Sequence, residues 1–204
     1  MLPPSLGIEE GIMLRKNVSF RGKEQLRRLV LSAMLLSVGI ILPFFTGQIP
    51  SVGSMLLPMH LPVFVCGLVC GWQYGGAVGL ILPLLRSALF GMPPLYPNAL
   101  SMAAELAVYG FLVGLLYALW RRRGIPAVYG ALIPAMLVGR GIWGLTQLLL
   151  LGLKDLPFSG HAFLAGAFLN AIPGIILQLV LIPAIMTGLH YTGMHRFGSK
   201  EGQI

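Results

Sequence analysis

Three ionisable side chains, Arg86, Glu105 and Arg140, stand inside long apolar stretches of this chain. Placing such a group in hydrocarbon costs about 2.5–3.5 kcal/mol on insertion scales, so each marks a position where polar chemistry is wanted. Two guanidinium groups and one carboxylate leave a single positive excess, which favours a ligand with one carboxylate held by an arginine fork. Near the ends of the same stretches stand His60, Tyr96, Asn98, Trp143, Gln147 and Asn170, which can donate, accept or stack. No H-E-x-x-H, no G-x-S-x-G and no intramembrane carboxylate–histidine cluster accompanies them, so the pattern points to binding and not to catalysis. Plainer readings stand beside these. Glu105 and Arg140 can neutralise each other as a buried pair. Arg86 can snorkel to headgroups, and His60, Tyr96 and Asn98 can serve as interfacial anchors or caps. Trp143 can be packing.

The elements that must position these groups are membrane spans. Hydrophobic residues form 56% of the 204-residue chain and charged residues 10%, with a mean hydropathy of +0.85. A soluble domain carries about 25% charge and could not cover so apolar a core. Apolar segments of roughly 20 residues match a hydrocarbon core about 30 Å thick. The expected spans cover about residues 26–46, 60–72, 74–90, 98–120, 125–153 and 163–189. The second is short and admits a re-entrant reading, and the fifth needs tilt or a kink, for which Pro134 is suited. Asn98 is placed to cap the fourth span after the proline-rich segment 91–97. Abundant Gly and Pro within the spans predict close backbone packing with irregular helices.

Charge sets the orientation. The net charge of +8 lies in flanks: Arg15, Lys16, Arg21, Lys23, Arg27 and Arg28 before the first span, Arg121–Arg123 after the fourth, Arg196 and Lys200 after the last. Six spans with both termini cytoplasmic keep eleven of the fourteen basic residues inside, as the positive-inside rule requires. No basic groove with interleaved aromatics suggests nucleic acid. The expected organisation is a cytoplasmic basic segment 1–25, a membrane domain 26–190 and a cytoplasmic tail 191–204, forming an all-α, six-transmembrane-helix bundle. The basic lead is too long, and the following apolar run too span-like, for a signal peptide, and Met13 is an alternative start. Cys66 and Cys70 share a helix face without the further ligands a metal would need, so neither metal nor cofactor is expected.

In that orientation Arg86 lies roughly 6 Å below the outer end of its span and Glu105 roughly 10 Å below, with Arg140 near mid-membrane. Gln147 lies higher on the helix of Arg140, and Asn170 enters from the sixth span. The inner half is plainer, apart from Gln178. A path for ions would place polar groups at every depth; this distribution predicts a cavity open outward and closed below. The sequence carries no G-x-x-x-x-G-K-[ST] phosphate loop, so it is not expected to energise transport by its own ATP hydrolysis, and a subunit needing a partner is expected.

The stretch 55–75, with Met55-Leu-Leu-Pro-Met-His-Leu-Pro62 and Cys66-Gly-Leu-Val-Cys-Gly-Trp-Gln-Tyr-Gly75, resembles a substrate-specific S component of an energy-coupling factor (ECF) transporter. So do Pro83-Leu-Leu-Arg-Ser-Ala-Leu-Phe-Gly-Met-Pro-Pro-Leu-Tyr-Pro-Asn98, Glu105, Gly139-Arg-Gly-Ile-Trp143 and Ala165-Gly-Ala-Phe-Leu-Asn-Ala-Ile-Pro-Gly174. The resemblance covers about residues 26–190 and is greatest to the branch with pantothenate-type members. It implies six helices in a bacterial plasma membrane and capture of a vitamin or precursor near the outer face. It also implies work with a transmembrane T subunit and two ATPases, with toppling in the bilayer to release substrate inside. The family's small-xxx-small docking patch on the first helix falls here on Ala33 and Ser37, where ordinary close helix packing is the plainer reading. The competing expectations are an autonomous transporter of a small organic anion, with Glu105 and Arg140 coupling protons, a lipid-acting membrane enzyme using His60 or Glu105, and a structural membrane subunit.

Overall fold

The computed structural model describes residues 5–46, 57–120, 124–152 and 172–192. All regular structure among them is helical: α1 (Ser5–Ile41), α2 (His60–Cys70), α3 (Trp72–Phe90), α4 (Leu100–Trp120), α5 (Ile125–Gly152) and α6 (Ile172–Tyr191). A 3₁₀ turn (Leu42–Thr46) extends α1, and a wide π-type turn (Leu95–Ala99) leads into α4.

Four segments are long and apolar enough to cross a membrane: Gly22–Phe45, Leu95–Trp120, Ile125–Gly152 and Ile172–Tyr191. At 19 residues α3 has the length, but Gln73, Arg86 and its glycines dilute its apolarity. With 11 residues α2 rises only about 16 Å, half the hydrocarbon thickness. The outward surface is apolar. Leu29, Val30, Met34 and Val38 on α1, Leu145, Leu148 and Leu149 on α5, and Ile176 and Val180 on α6 are all exposed. Continuous exposed apolar faces of this extent are incompatible with water and suit lipid. This is a helical membrane protein.

The helix boundaries differ from those of the expected spans in two places. A single helix runs from Ser5 to Ile41, so the basic lead continues α1; Arg, Lys and Glu propagate a helix almost as well as Leu does. The helix proper of α4 begins at Leu100, and Asn98 does not act as its cap. Its side-chain oxygen instead accepts from Gln147 Nε2 at 3.2 Å, while the Ser101 hydroxyl donates back to the carbonyls of Pro97 and Asn98. Of the expected sixth span, α6 covers residues 172 onward, and 163–171 lie outside the described residues.

α4 is the central helix, packed against α2, α3 and α5. Glycine makes that packing close. Gly71, at φ 101°, adopts a backbone that side chains rarely tolerate and folds α2 back onto α3 through one residue. Next to that turn, Gly67, Gly75 and Gly110 from α2, α3 and α4 meet backbone to backbone, and a Cβ on any of them would overlap its neighbour. Dispersion between close backbones holds membrane helices together where lipid is as apolar as leucine. The core around this seam is Phe64, Leu82, Leu106, Tyr109, Val113, Val128 and Leu132, with Ile182 and Met186 closing it from α6.

Candidate functional site

Into this apolar core the chain inserts a polar knot. His60 is the first residue of α2, and Glu105 lies five residues, about 7 Å, into α4. Arg140 lies near the middle of α5, and all three are at most 5% exposed. Arg140 Nη1 stands 3.2 Å from Glu105 Oε1, and the Tyr109 hydroxyl donates to the same oxygen at 2.8 Å. The other carboxylate oxygen, Oε2, faces His60 Nε2 at 3.8 Å, beyond hydrogen-bond reach.

Satisfaction is incomplete, and the deficit is specific. Nε and Nη2 of Arg140, both ring nitrogens of His60, and Nε2 of Gln178 on α6 have no hydrogen-bond partner among the described residues. An unmet buried donor costs about 1–3 kcal/mol, more when charged. The free Nε and Nη2 of Arg140 form one edge of its guanidinium, the edge that receives a carboxylate side-on. Glu105 occupies the remaining nitrogen and supplies the opposite charge. Among the described residues the knot therefore presents one buried arginine edge with two donors to spare.

Above the knot a second layer joins α4 to α5. Tyr96, half-buried, donates its hydroxyl to the carbonyl of Leu150, and Gln147 donates to Asn98. These bonds hold the Leu95–Ala99 turn against the last turns of α5. Trp143, half-buried, follows Arg140 by one turn. Asn170 lies outside the described residues.

Arg86 is not brought into the knot. It is buried on α3, where Nη1 donates to the carbonyl of Ile40 near the end of α1. Its guanidinium carbon lies 5.1 Å from the Phe44 ring centre and 5.6 Å from that of Phe90, and those two rings meet edge-on at 5.0 Å. Ala33 and Ser37 lie exposed on α1, with the Ser37 hydroxyl bonded to the carbonyl of Ala33.

Tyr109 is the residue that the sequence reading passed over. Its only signal is the Glu105-x-x-x-Tyr109 spacing, which stacks two side chains on one helix face. Its ring packs on His60 at 5.5 Å and Phe64 at 4.9 Å, and its other side lies against Gly139.

The described residues thus form a lipid-facing helical membrane bundle with a buried, charge-paired and donor-rich knot near one end. The sequence profile of the family described as ECF transporter, substrate-specific component, matches residues 27–186, and the chain belongs to that family. Comparison with curated proteins and with solved structures gives no match. Membership makes the chain a transport component; the family works with T and ATPase subunits on a small-molecule substrate.

Proposed function

We propose that this chain captures a small vitamin or vitamin precursor bearing one carboxylate, pantothenate being the best candidate, on the outer side of a bacterial plasma membrane. It then hands the molecule inward with an ECF T subunit and two ATPases. In this reading six spans leave both termini cytoplasmic, with residues 1–25 and 191–204 inside. The single observation that carries the reading is the buried Arg140 guanidinium, whose Nε and Nη2 lack partners among the described residues while Glu105 balances its charge. Glu105 and His60 frame the carboxylate. Asn98, Tyr96, Gln147 and Trp143 line the approach, Asn170 contributes from the sixth span, and Arg86 steadies the outer margin. Ala33 and Ser37 offer the T subunit a small, exposed patch.

The test is to purify the protein, denature it and identify released small molecules by mass spectrometry, then titrate pantothenate by calorimetry. A stoichiometric carboxylate lost on Arg140→Ala is the expected result. A wild-type protein that carries and binds no such molecule sinks the reading. A second reading, a proton-coupled carrier of a small organic anion, draws on the 3.8 Å approach of His60 to Glu105. Uptake that persists in cells without the ATPases would favour it.

A further inference from the structure

The Tyr109 hydroxyl and Arg140 both engage Oε1 of Glu105, and the ring that carries the hydroxyl is seated on the residue next to Arg140. A Cβ built on Gly139 would run into the Tyr109 ring edge, so only glycine leaves the ring its place. Phe64 and His60 close the ring from α2. Tyr109 is thus wedged between three helices, with its hydroxyl able to reach a single oxygen.

Without that hydrogen bond the Glu105 carboxylate has a better option. Its second oxygen can turn onto Nη2 beside the Nη1 that the first already faces, because a parallel two-bond pairing is the preferred geometry of guanidinium and carboxylate. In that arrangement Nη2 is spent on Glu105 and the Nε–Nη2 edge is closed to any other anion.

We infer that Tyr109, seated on Gly139, is a positioning residue that holds Glu105 on one nitrogen of Arg140 and so keeps the guanidinium edge open for a ligand carboxylate. The inference rests on the carboxylate-binding reading above for its consequence, although the positioning itself does not need a ligand. It makes Tyr109 a determinant of anion specificity through Glu105, without contact with the ligand.

The experiment uses the full chain in detergent, with pantothenate and its neutral alcohol analogue pantothenol as calorimetric probes. Tyr109→Phe keeps the ring on Gly139 and removes only the hydroxyl. Loss of a hydrogen bond to a charged group, about 1.5–3 kcal/mol, predicts pantothenate binding weakened by about 10-fold or more. Pantothenol binding should stay unchanged. Adding Glu105→Gln removes the competing carboxylate and should raise pantothenate affinity by about threefold or more above that of Tyr109→Phe alone. A purely structural loss would weaken both probes and would not be rescued. That outcome overturns the inference.

A ligand-free measurement separates this inference from the reading beneath it. Infrared carboxylate bands of Glu105, isolated by subtracting Glu105→Gln spectra in each background, should shift between wild type and Tyr109→Phe as one-point pairing becomes two-point. Gly139→Ala, which pushes the ring off its seat with the hydroxyl intact, should move the same bands. Unshifted bands in both variants overturn the positioning role whatever the protein binds. If the wild type binds neither probe but the bands shift, the positioning stands and the carboxylate reading falls.

Discussion

Two buried arginines in one bundle have been treated in opposite ways. Arg86 spends its guanidinium on the chain itself, with a backbone carbonyl accepting from Nη1 and phenylalanine rings at 5.1 and 5.6 Å. Arg140 is given a counter-ion on one nitrogen and, among the described residues, nothing on the edge opposite. Both side chains have the same charge and the same insertion cost, so the difference lies in what the neighbours leave undone. Around Arg86 the rings solvate the cation with their faces, and the result ties the end of α1 to the end of α3. Around Arg140 the charge is balanced but the hydrogen bonding is not. On the proposed reading, the carboxylate partner with donors to spare beside it belongs to a site, and the carbonyl with aromatic faces belongs to a strut.

Truncating the arginine of the site should produce the largest effect. Arg140→Ala removes the fork and strands Glu105, whose remaining bond is the one from Tyr109. Two charge-assisted hydrogen bonds at about 1.5–3 kcal/mol each predict pantothenate affinity reduced by more than about 100-fold in calorimetry. The comparison breaks if Arg86→Gln reduces affinity equally, since the two guanidiniums would then serve one ligand together.

For Arg86→Gln the expected effect is on the fold. Losing two ring contacts and a hydrogen bond should destabilise the protein by about 2 kcal/mol, a fall in Tm on the order of 5 °C in detergent. Pantothenate affinity should change by less than about threefold, because the variant leaves the knot's own contacts in place. Phe44→Leu should reproduce part of the loss of Tm, which checks that the rings and not the charge alone provide the stabilisation.

The sequence exposed these two arginines and Glu105 for the same reason: each is expensive in hydrocarbon and therefore visible against an apolar background. It could not separate them. Hydropathy gives depth along a helix, and Arg86 and Glu105 have similar depth. The division into strut and site depends on rotation about the helix axis and on which carbonyl lies opposite. On α3 the buried row is Gly75, Val78, Gly79, Leu82, Pro83 and Arg86, which turns the guanidinium toward α1. Tyr109 was invisible for the converse reason, because a tyrosine in a membrane helix is ordinary and only its bond to Glu105 gives it meaning. Helix α1 begins at Ser5, well before the expected span near residue 26, because hydropathy marks where a helix meets lipid, not where the helix begins. Family membership, by contrast, was legible from the His60, Arg86, Glu105 and Arg140 segments, and the profile match over residues 27–186 bears it out.

The smallest expected effect concerns the layer above the knot, and it sharpens the comparison by adding kinetics. Gln147 and Tyr96 join the Leu95–Ala99 turn to α5 through neutral hydrogen bonds, with Asn98 exposed and so already in contact with the surroundings. A neutral bond contributes about 0.5–1.5 kcal/mol net, far less than a charged fork. If the turn is a rim over the Arg140 site, loosening it should speed escape more than it slows entry, since entry already requires the rim to yield. Gln147→Ala combined with Tyr96→Phe should therefore raise the pantothenate off-rate by about threefold to tenfold in stopped flow, with the on-rate nearly constant. An off-rate unchanged beside a lowered Tm would place the rim with Arg86, as a strut, and leave Arg140, Glu105, Tyr109 and His60 as the whole of the described site.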